Sequence, residues 1–367
     1  MFVGSLISQR IGPVPGLPAP SEASGVQWTN PLEHSDWDLR IRQHPNLSFF
    51  HTTAWAKVLA ETYGYKPIYF VGHEGGAVRS LLPLMEVSSR LTGWRGVALP
   101  FTDDCKPVCS NQASFIELFR NAQVIGLLRG WDYLEIRGGR EFNPGAPPSV
   151  SFYGHTLDLS ADENEFFGKL KSPVRRAIRK AEKEGVRVEI SQELAEVRTF
   201  YSLQCLSRKK HGLPPQPFVF FKNIHKHVLS EGLGFVAMAR RKKVPVAGAI
   251  FFHFGERAIY KFGASDDAFQ NLRGNNLVMW AAIGRLARAG VKKLDLGRTS
   301  LGNAGLRRFK LGWNTREKSI GYFRFSLDEK KYIPARDESH GLHNLVFRAL
   351  PIPISRFLGR ILYRHWA

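Results

Sequence analysis

Two stretches of the chain match each other residue type for residue type. Gly130-Trp131-Asp132-Tyr133-Leu134-Glu135-Ile136 and Gly290-Val291-Lys292-Lys293-Leu294-Asp295-Leu296 each run from a glycine stop, through a polar turn, into a short strand with an acidic residue between two apolar ones. Upstream of each lies a hairpin pattern, from Pro67 to Val87 in the first half and from Phe235 to Phe254 in the second. The turns are Glu74-Gly75-Gly76 and Arg240-Arg241-Lys242-Lys243, and the second arms are the apolar runs Leu81-Leu82-Pro83-Leu84 and Ala247-Gly248-Ala249-Ile250-Phe251-Phe252. A hairpin, a helix and a further strand, occurring twice in that order, predict a duplicated α/β unit with one active site between two related halves.

Punctuation sets the expected boundaries. Residues 1–44 are rich in Gly, Pro and Ser without periodicity and predict a flexible N-terminal arm. A first domain is expected over 45–150; Thr52 or Thr53 caps its first helix, which carries Trp55, Val58, Leu59 and Thr62 on one face and stops at Gly64. Pro144, Pro147 and Pro148 mark a link to a second domain over 151–327, and a C-terminal tail follows over 328–367. With 367 residues and 43% hydrophobic content, the chain is long enough for two ordinary cores.

No apolar run approaches the ~18 residues needed to cross a bilayer. Met1 to Ile7 is apolar, but no Lys or Arg precedes it and Arg10 follows, which is a poor secretory signal. Cys105, Cys109 and Cys205 are an odd number, against a disulfide framework. These features predict a cytoplasmic protein. The balance of 52 Lys+Arg against 32 Asp+Glu, a net charge of +20, attracts phosphate-bearing partners: nucleic acid, an anionic membrane or a phosphorylated substrate.

The basic segment from Lys171 to Gly185 predicts a helix capped at Ser172 with Pro173 at its first position. Val174, Ala177, Ile178 and Ala181 form its apolar stripe. Arg175 and Arg179, four apart, share a face and can grip one phosphate; a solvated surface is the plainer alternative. Arg298, in Asp295-Leu296-Gly297-Arg298-Thr299-Ser300, leaves a strand end, where ligands of open α/β sheets collect. Lys310 stands among Phe309, Leu311 and Trp313, where a partly desolvated ammonium would stabilise an oxyanion or phosphate; the alternative is a lysine pointing to water from an aromatic-rich strand. His211, in Lys209-Lys210-His211-Gly212, is a candidate base or a turn residue. Cys105 and Cys109 have a spacing compatible with zinc but no second ligand pair nearby, and Asp266-Asp267 reads as a polar turn, so no metal is expected.

In combination these residues resemble the FemAB-like acyltransferases. The run Leu306 to Trp313 preceded by Asp295 to Arg298 is similar to that family's closing motif. Phe50-His51-Thr52-Thr53-Ala54-Trp55, Leu99-Pro100-Phe101-Thr102-Asp103-Asp104, the basic helix, and Tyr260-Lys261-Phe262-Gly263-Ala264-Ser265 followed by Asn275-Asn276-Leu277 also agree. The resemblance spans about Phe49 to Phe323. It implies two tandem GNAT-like domains, each a mixed central sheet flanked by helices, with a substrate channel between them. It further implies transfer of an acyl or aminoacyl group to an amine in envelope, peptidoglycan or exopolysaccharide metabolism. The donor would be acyl-coenzyme A or aminoacyl-tRNA, with no tightly bound cofactor. Lys310 and Arg298 match the region that stabilises negative charge, Asp104 or Asp103 the acidic residue near the acceptor, and Tyr260, Lys261 and Trp313 substrate contacts.

Two departures qualify the donor. In Gln270-Asn271-Leu272-Arg273-Gly274-Asn275-Asn276 the glycine stands one place later than the usual pyrophosphate-binding pattern, and Asn276 replaces a small residue. The second domain also lacks a long charged heptad arm. An inactive relative that binds RNA or another polyanion is the alternative function. The end of the tail, residues 350–367, carries Phe357, Leu358, Ile361 and Leu362 on one predicted face and Arg356, Arg360 and Arg364 on another. Such a helix lies in an anionic membrane interface at the inner face of the membrane, or packs onto the protein.

Overall fold

The computed structural model describes residues 25–42, 44, 47–75, 77–335 and 343–366. The chain divides into two units: Met1–Ser151 with Ile320–Arg336 and Arg364–Ala367, and Phe152–Ser319 with Asp337–Tyr363. In the first, strands β1 (Val26–Thr29), β2 (Lys66–Glu74), β3 (Ala77–Ser89), β4 (Gly93–Val97) and β5 (Tyr133–Arg137) lie side by side in that order. All neighbours are antiparallel except β4 and β5, which the helix Gln112–Leu128 joins as a crossover. Asn111 caps that helix by accepting from the Ser114 N–H at 2.9 Å. Phe115, Leu118, Phe119 and Ala122 recur at helical spacing and pack on Leu82, Leu84 and Leu134 of the sheet. The helix Thr53–Tyr63 begins after Thr52 and ends at Gly64, whose φ of 75° is the left-handed stop that glycine adopts without a Cβ penalty.

The second unit repeats the plan. β6 (Val150–Asp158), β7 (Val186–Ser191), β8 (Gly234–Arg241), β9 (Val244–Phe254), β10 (Arg257–Ser265) and β11 (Lys293–Ser300) are arranged in the order β6-β11-β10-β9-β8-β7. Only β10 and β11 are parallel, joined by the helix Gly274–Arg288. The match read in the sequence is therefore a match in space. Leu134 stands opposite Gly96 in one parallel pair, and Leu294 opposite Ala258 in the other. β12 (Arg316–Ser326) and β13 (Lys331–Ile333) complete the first sheet, Tyr322 to Ser326 pairing with Arg137 to Tyr133. Both halves are α/β with a mixed sheet flanked by helices.

Three expectations change. Residues 1–24 of the expected arm lie outside the described residues, but 25–42 carry β1 and the helix Trp37–Ile41. Trp37 is buried against Tyr69, its Nε1 donates to the His51 carbonyl at 3.1 Å, and Asp38 accepts from Thr53 N and Oγ1 at 2.8 Å. One large apolar anchor and one carboxylate order a stretch that has no periodicity. The stretch around Lys310 is a helix, Ala304–Leu311, capped by Asn303 accepting from Leu306 N at 3.0 Å, and not a strand. Residues 320–327, expected to end the second domain, and 328–333, expected in the tail, supply most of β12 and all of β13 to the first unit.

Candidate active site

β10 and β11 pair over only three positions, Arg257 to Ile259 against Lys293 to Asp295. Beyond them β10 stays with β9 as far as Ser265 and β11 stays with β6 as far as Ser300. The two parallel strands therefore part at their carboxyl ends, and each carries a bulge at the parting, between Tyr260 and Phe262 and between Asp295 and Arg298. Backbone carbonyls and N–H groups that a ladder would consume are turned there toward other partners. Tyr260, Lys261 and Arg298, all singled out from sequence, stand at this opening. The Tyr260 ring lies along the strand over Gly263, where a Cβ would fall 1.6 Å from its hydroxyl, and burial pushes the phenol up to about 12. Lys261 Nζ sits over the Phe262 ring at 5.2 Å.

The β11 bulge is built by its own residues. Asp295 Oδ1 accepts from Gly297 N at 2.7 Å, and Gly297 takes φ 71°, a left-handed conformation that favours glycine. This turns the carbonyls of Gly297 and Arg298 to Lys310, whose Nζ donates to both at 2.9 Å. Lys310 is 2% exposed, so the ammonium is desolvated as expected, but it does not point to water. Two carbonyl dipoles offset part of the cost of burying it. Two residues on, a Cβ at Gly312 would meet Val174 of the basic helix at 2.9 Å. Arg298 is exposed with its guanidinium over the Phe152 ring at 4.5 Å.

Sequence reading missed two members of the cluster. His155 on β6 lies between Gly154 and Thr156, which pair with Arg298 and Asp295, so it faces the bulge. It is fully buried; Nε2 is 3.0 Å from Glu317 Oε2, and Nδ1 has no hydrogen-bond partner among the described residues. Glu317 also takes a bidentate pair from Arg307, Nε to Oε2 at 2.8 Å and Nη2 to Oε1 at 2.7 Å, which holds its carboxyl below the usual range. An ionised carboxylate can only accept, so Nε2 of His155 carries the proton and Nδ1 presents a lone pair. Burial, and then the Lys310 charge, depress the His155 pKa and keep the ring neutral near pH 7. A histidine on a strand between Tyr153 and Leu157 at period two was the only local signal for it.

Asp103 and Asp104 belong to the first unit, on a constrained loop after β4. Leu99 and Phe101 take φ 45° and 61°, conformations costly for residues with a Cβ. Thr102 Oγ1 donates to the Leu99 carbonyl at 2.7 Å, and Tyr322 Oη donates to the Thr102 and Asp103 carbonyls at 3.0 and 2.8 Å. Asp104 Oδ1 packs on Gly138, where a Cβ would fall 2.2 Å away. The strained turn coincides with the segment Leu99 to Asp104 that resembles the family motif.

Trp313 lies one turn from Lys310, its backbone N–H donating to the Lys310 carbonyl at 3.1 Å. Arg175 and Arg179 share the outer face of the helix Ser172–Lys183, with Arg179 over the Phe167 ring at 5.4 Å. His211 is exposed at the end of the helix Leu194–Lys210, and its carbonyl accepts from Asn344 Nδ2 at 2.8 Å, which is the turn reading. Trp313 is fully buried in the second core and also walls a cleft of about 260 Å³ with Thr156, Asp158, Phe166, Lys169 and Arg316. That volume is near the lower limit of small-molecule sites, ~300 Å³. Gly274 starts its helix against Val246, Ala247 and Ala239, with a Cβ reaching the first two at 3.0 and 3.1 Å, so packing accounts for this glycine. Among the described residues no cluster of His, Cys, Asp and Glu could hold a metal ion, and no helix is long and apolar enough to cross a membrane.

The family model described as an acetyltransferase (GNAT) domain matches residues 168–311, a span that ends just past Lys310. Over that span the second unit is similar to a GNAT domain. No curated protein matches the chain by sequence. Among solved structures, FemX is similar at 16% identity with a TM-score of 0.67, covering 83% of this chain and 98% of its own. The C-terminal domain of a lysylphosphatidylglycerol synthetase from Agrobacterium fabrum is similar at 16% identity and TM-score 0.54, covering 80% and 90%. A tandem GNAT protein from the clavulanic acid biosynthesis pathway follows at 9% identity and TM-score 0.51, covering 82% and 98%. At these identities the likeness is one of fold, and the fold is a pair of GNAT-like units.

Proposed function

We propose that the chain is an N-acyltransferase that moves an acyl or aminoacyl group onto an amine acceptor in cell-envelope metabolism. The observation that carries this reading is the buried Lys310 ammonium, anchored to the β11 bulge of a GNAT-like unit beside a neutral histidine. Attack of an amine on an ester or thioester must lose a proton and must stabilise an oxyanion. Lys310 supplies a fixed positive charge in a low-dielectric setting, and Nδ1 of His155 supplies a proton acceptor that Glu317 orients. Arg298 is exposed for a phosphate of the donor, and Arg175 and Arg179 extend the cationic surface. Asp104, or Asp103 beside it, is the acidic residue that the family resemblance implies for the acceptor. The names of two similar structures, FemX and a lysylphosphatidylglycerol synthetase, support an aminoacyl group as cargo and the envelope as the setting.

The donor is either acyl-coenzyme A or aminoacyl-tRNA. Binding of each, competed by its deacylated form at physiological salt, separates them: saturable acyl-dependent binding of one names it. A second reading, a polyanion-binding relative without turnover, is favoured by the exposed cations Arg176, Arg179, Lys180 and Lys183 along one helix. It requires tRNA affinity that falls steeply with salt and no dependence on the acyl group. Transfer of a labelled acyl group to an amine by wild type, lost in Lys310→Met, establishes the first reading. Failure of both donors to bind and react would sink it.

A further inference from the structure

The C-terminal helix Ile352–Leu362 shows the solvent the wrong residues for a simple packing element. Its inward strip is small and polar: Ser355 is 2% exposed, Gly359 is buried, and a Cβ on Gly359 would fall 2.1 Å from the Pro215 carbonyl oxygen. Its outward strip is large and apolar, with Ile354 47%, Phe357 55% and Ile361 43% exposed. The spacing 354, 357, 361 puts these three on one line along the helix. Leu358 and Leu362, expected on that same face, are half-buried instead, because the small residues let the helix settle on its other side. On the preceding helix, His343–Ala349, Leu345 and Val346 are 64% and 59% exposed. Five large apolar side chains so close in sequence exceed the scattered exposure normal for a surface.

Charge says what covers them. From Leu342 to Ala367 the chain has no Asp or Glu, and Arg348, Arg356, Arg360 and Arg364 are all exposed. On the helix Ile352–Leu362 the arginines occupy the strip beside the apolar line, Arg356 over the Tyr201 ring at 5.3 Å and Arg360 over Phe357 at 5.7 Å. An apolar line flanked by arginines, without a single carboxylate, is complementary to acyl chains edged by anionic headgroups.

We propose that this helix is an interfacial anchor that docks the folded chain onto an anionic lipid bilayer. The proposal is independent of the acyl-transfer reading and its test needs no turnover. The full chain is sedimented with vesicles of phosphatidylcholine alone and of equimolar phosphatidylcholine and phosphatidylglycerol. Wild type binds the anionic vesicles at least tenfold more tightly than the neutral ones. Phe357→Ser with Ile361→Ser, both at exposed positions, lowers that binding at least tenfold while the melting temperature and far-ultraviolet circular dichroism stay at wild-type values. Arg348→Gln with Arg360→Gln removes the preference for anionic vesicles. Wild type that ignores both vesicles, or a serine variant that binds as wild type does, overturns the proposal. So does a wild-type dimer in solution that the serine variant converts to monomer without any vesicle binding, since the apolar line would then belong to a second copy.

Discussion

Nζ of Lys310 donates a 2.9 Å hydrogen bond to the carbonyl of Gly297, and that carbonyl is available only because Gly297 sits in a bulge. The chain of cause runs back one step further, to Asp295, which fixes the bulge by accepting from Gly297 N at 2.7 Å. The acidic residue recognised as half of the sequence match is thus a backbone brace for the lysine. Its counterpart Glu135 does something else: it sits between two arginines in the first core, Arg137 and Arg324. The duplicated framework has kept the position and changed its use.

Replacing Lys310 with Met keeps the aliphatic stem and deletes the charge. If the ammonium stabilises the developing oxyanion, kcat falls by about 10²–10³-fold, the usual effect of removing one such donor. Substrate binding, measured separately at equilibrium, changes far less. A folded Lys310→Met protein with wild-type kcat would remove the lysine from the mechanism.

Gly297→Ala puts a Cβ on a residue at φ 71°. The strain costs about 1–2 kcal/mol. Relief of that strain moves the carbonyl that holds Lys310, so turnover should drop beyond what the loss of stability alone explains. Denaturant unfolding and kcat measured on the same preparation separate the two effects. A destabilised variant with unchanged kcat would show that the bulge is only structural.

His155→Gln tests the proton acceptor. The glutamine amide can still donate to Glu317, but nothing replaces Nδ1. Rate should fall by roughly 10²–10⁴-fold, the range for loss of a general base. In wild type the folded pKa is lowered from 6.5, so the neutral base is present at pH 7 and is lost as pH falls through the lowered value. kcat/KM should therefore be flat around neutrality and decline on the acid side, and that decline should vanish in the variant. The same shift makes the folded state bind fewer protons than the unfolded chain, so this group's contribution to stability is present above 6.5 and fades toward acid pH. An acid limb that survives in His155→Gln would assign it to another group.

Framework was legible in the chain because it is written locally. Gly64, Gly130 and Gly290 end helices at left-handed positions, and the hairpins declare themselves by turn residues between apolar runs. Lys310 stands out by its aromatic neighbours, yet the strand named as its alternative setting is a helix. Eight residues after Gly302, with Gly305 inside, offer little helical periodicity, and only Asn303 signals the cap. His155 and Glu317 lie 162 residues apart, and their contact exists only once β6 and the first residues of β12 are in place. No spacing rule reaches that far. The tail was read as amphipathic, but which strip faces inward depends on Gly359 meeting Pro215, a tertiary fact.

Glu135 ties acid stability to the first core. Arg137 Nε donates to its Oε1 at 2.8 Å and Arg324 Nη2 to its Oε2 at 2.7 Å. Burial alone would raise this carboxyl, but the two guanidinium groups win and hold it at about 2 instead of 4.5. The folded pKa is depressed, so the stabilisation is complete above the unfolded value and is lost as pH falls through about 2. A shift of that size corresponds to roughly 3 kcal/mol at neutral pH. Glu135→Gln leaves two arginines near one neutral amide, and removing one partner of a buried pair costs about 3–5 kcal/mol. Thermal melts from pH 7 to pH 2 should show the variant less stable at pH 7 and the gap closing toward pH 2, where wild type has also lost the charge. Parallel curves separated by a constant gap would mean that packing at Glu135, and not its ionisation, carries the stability.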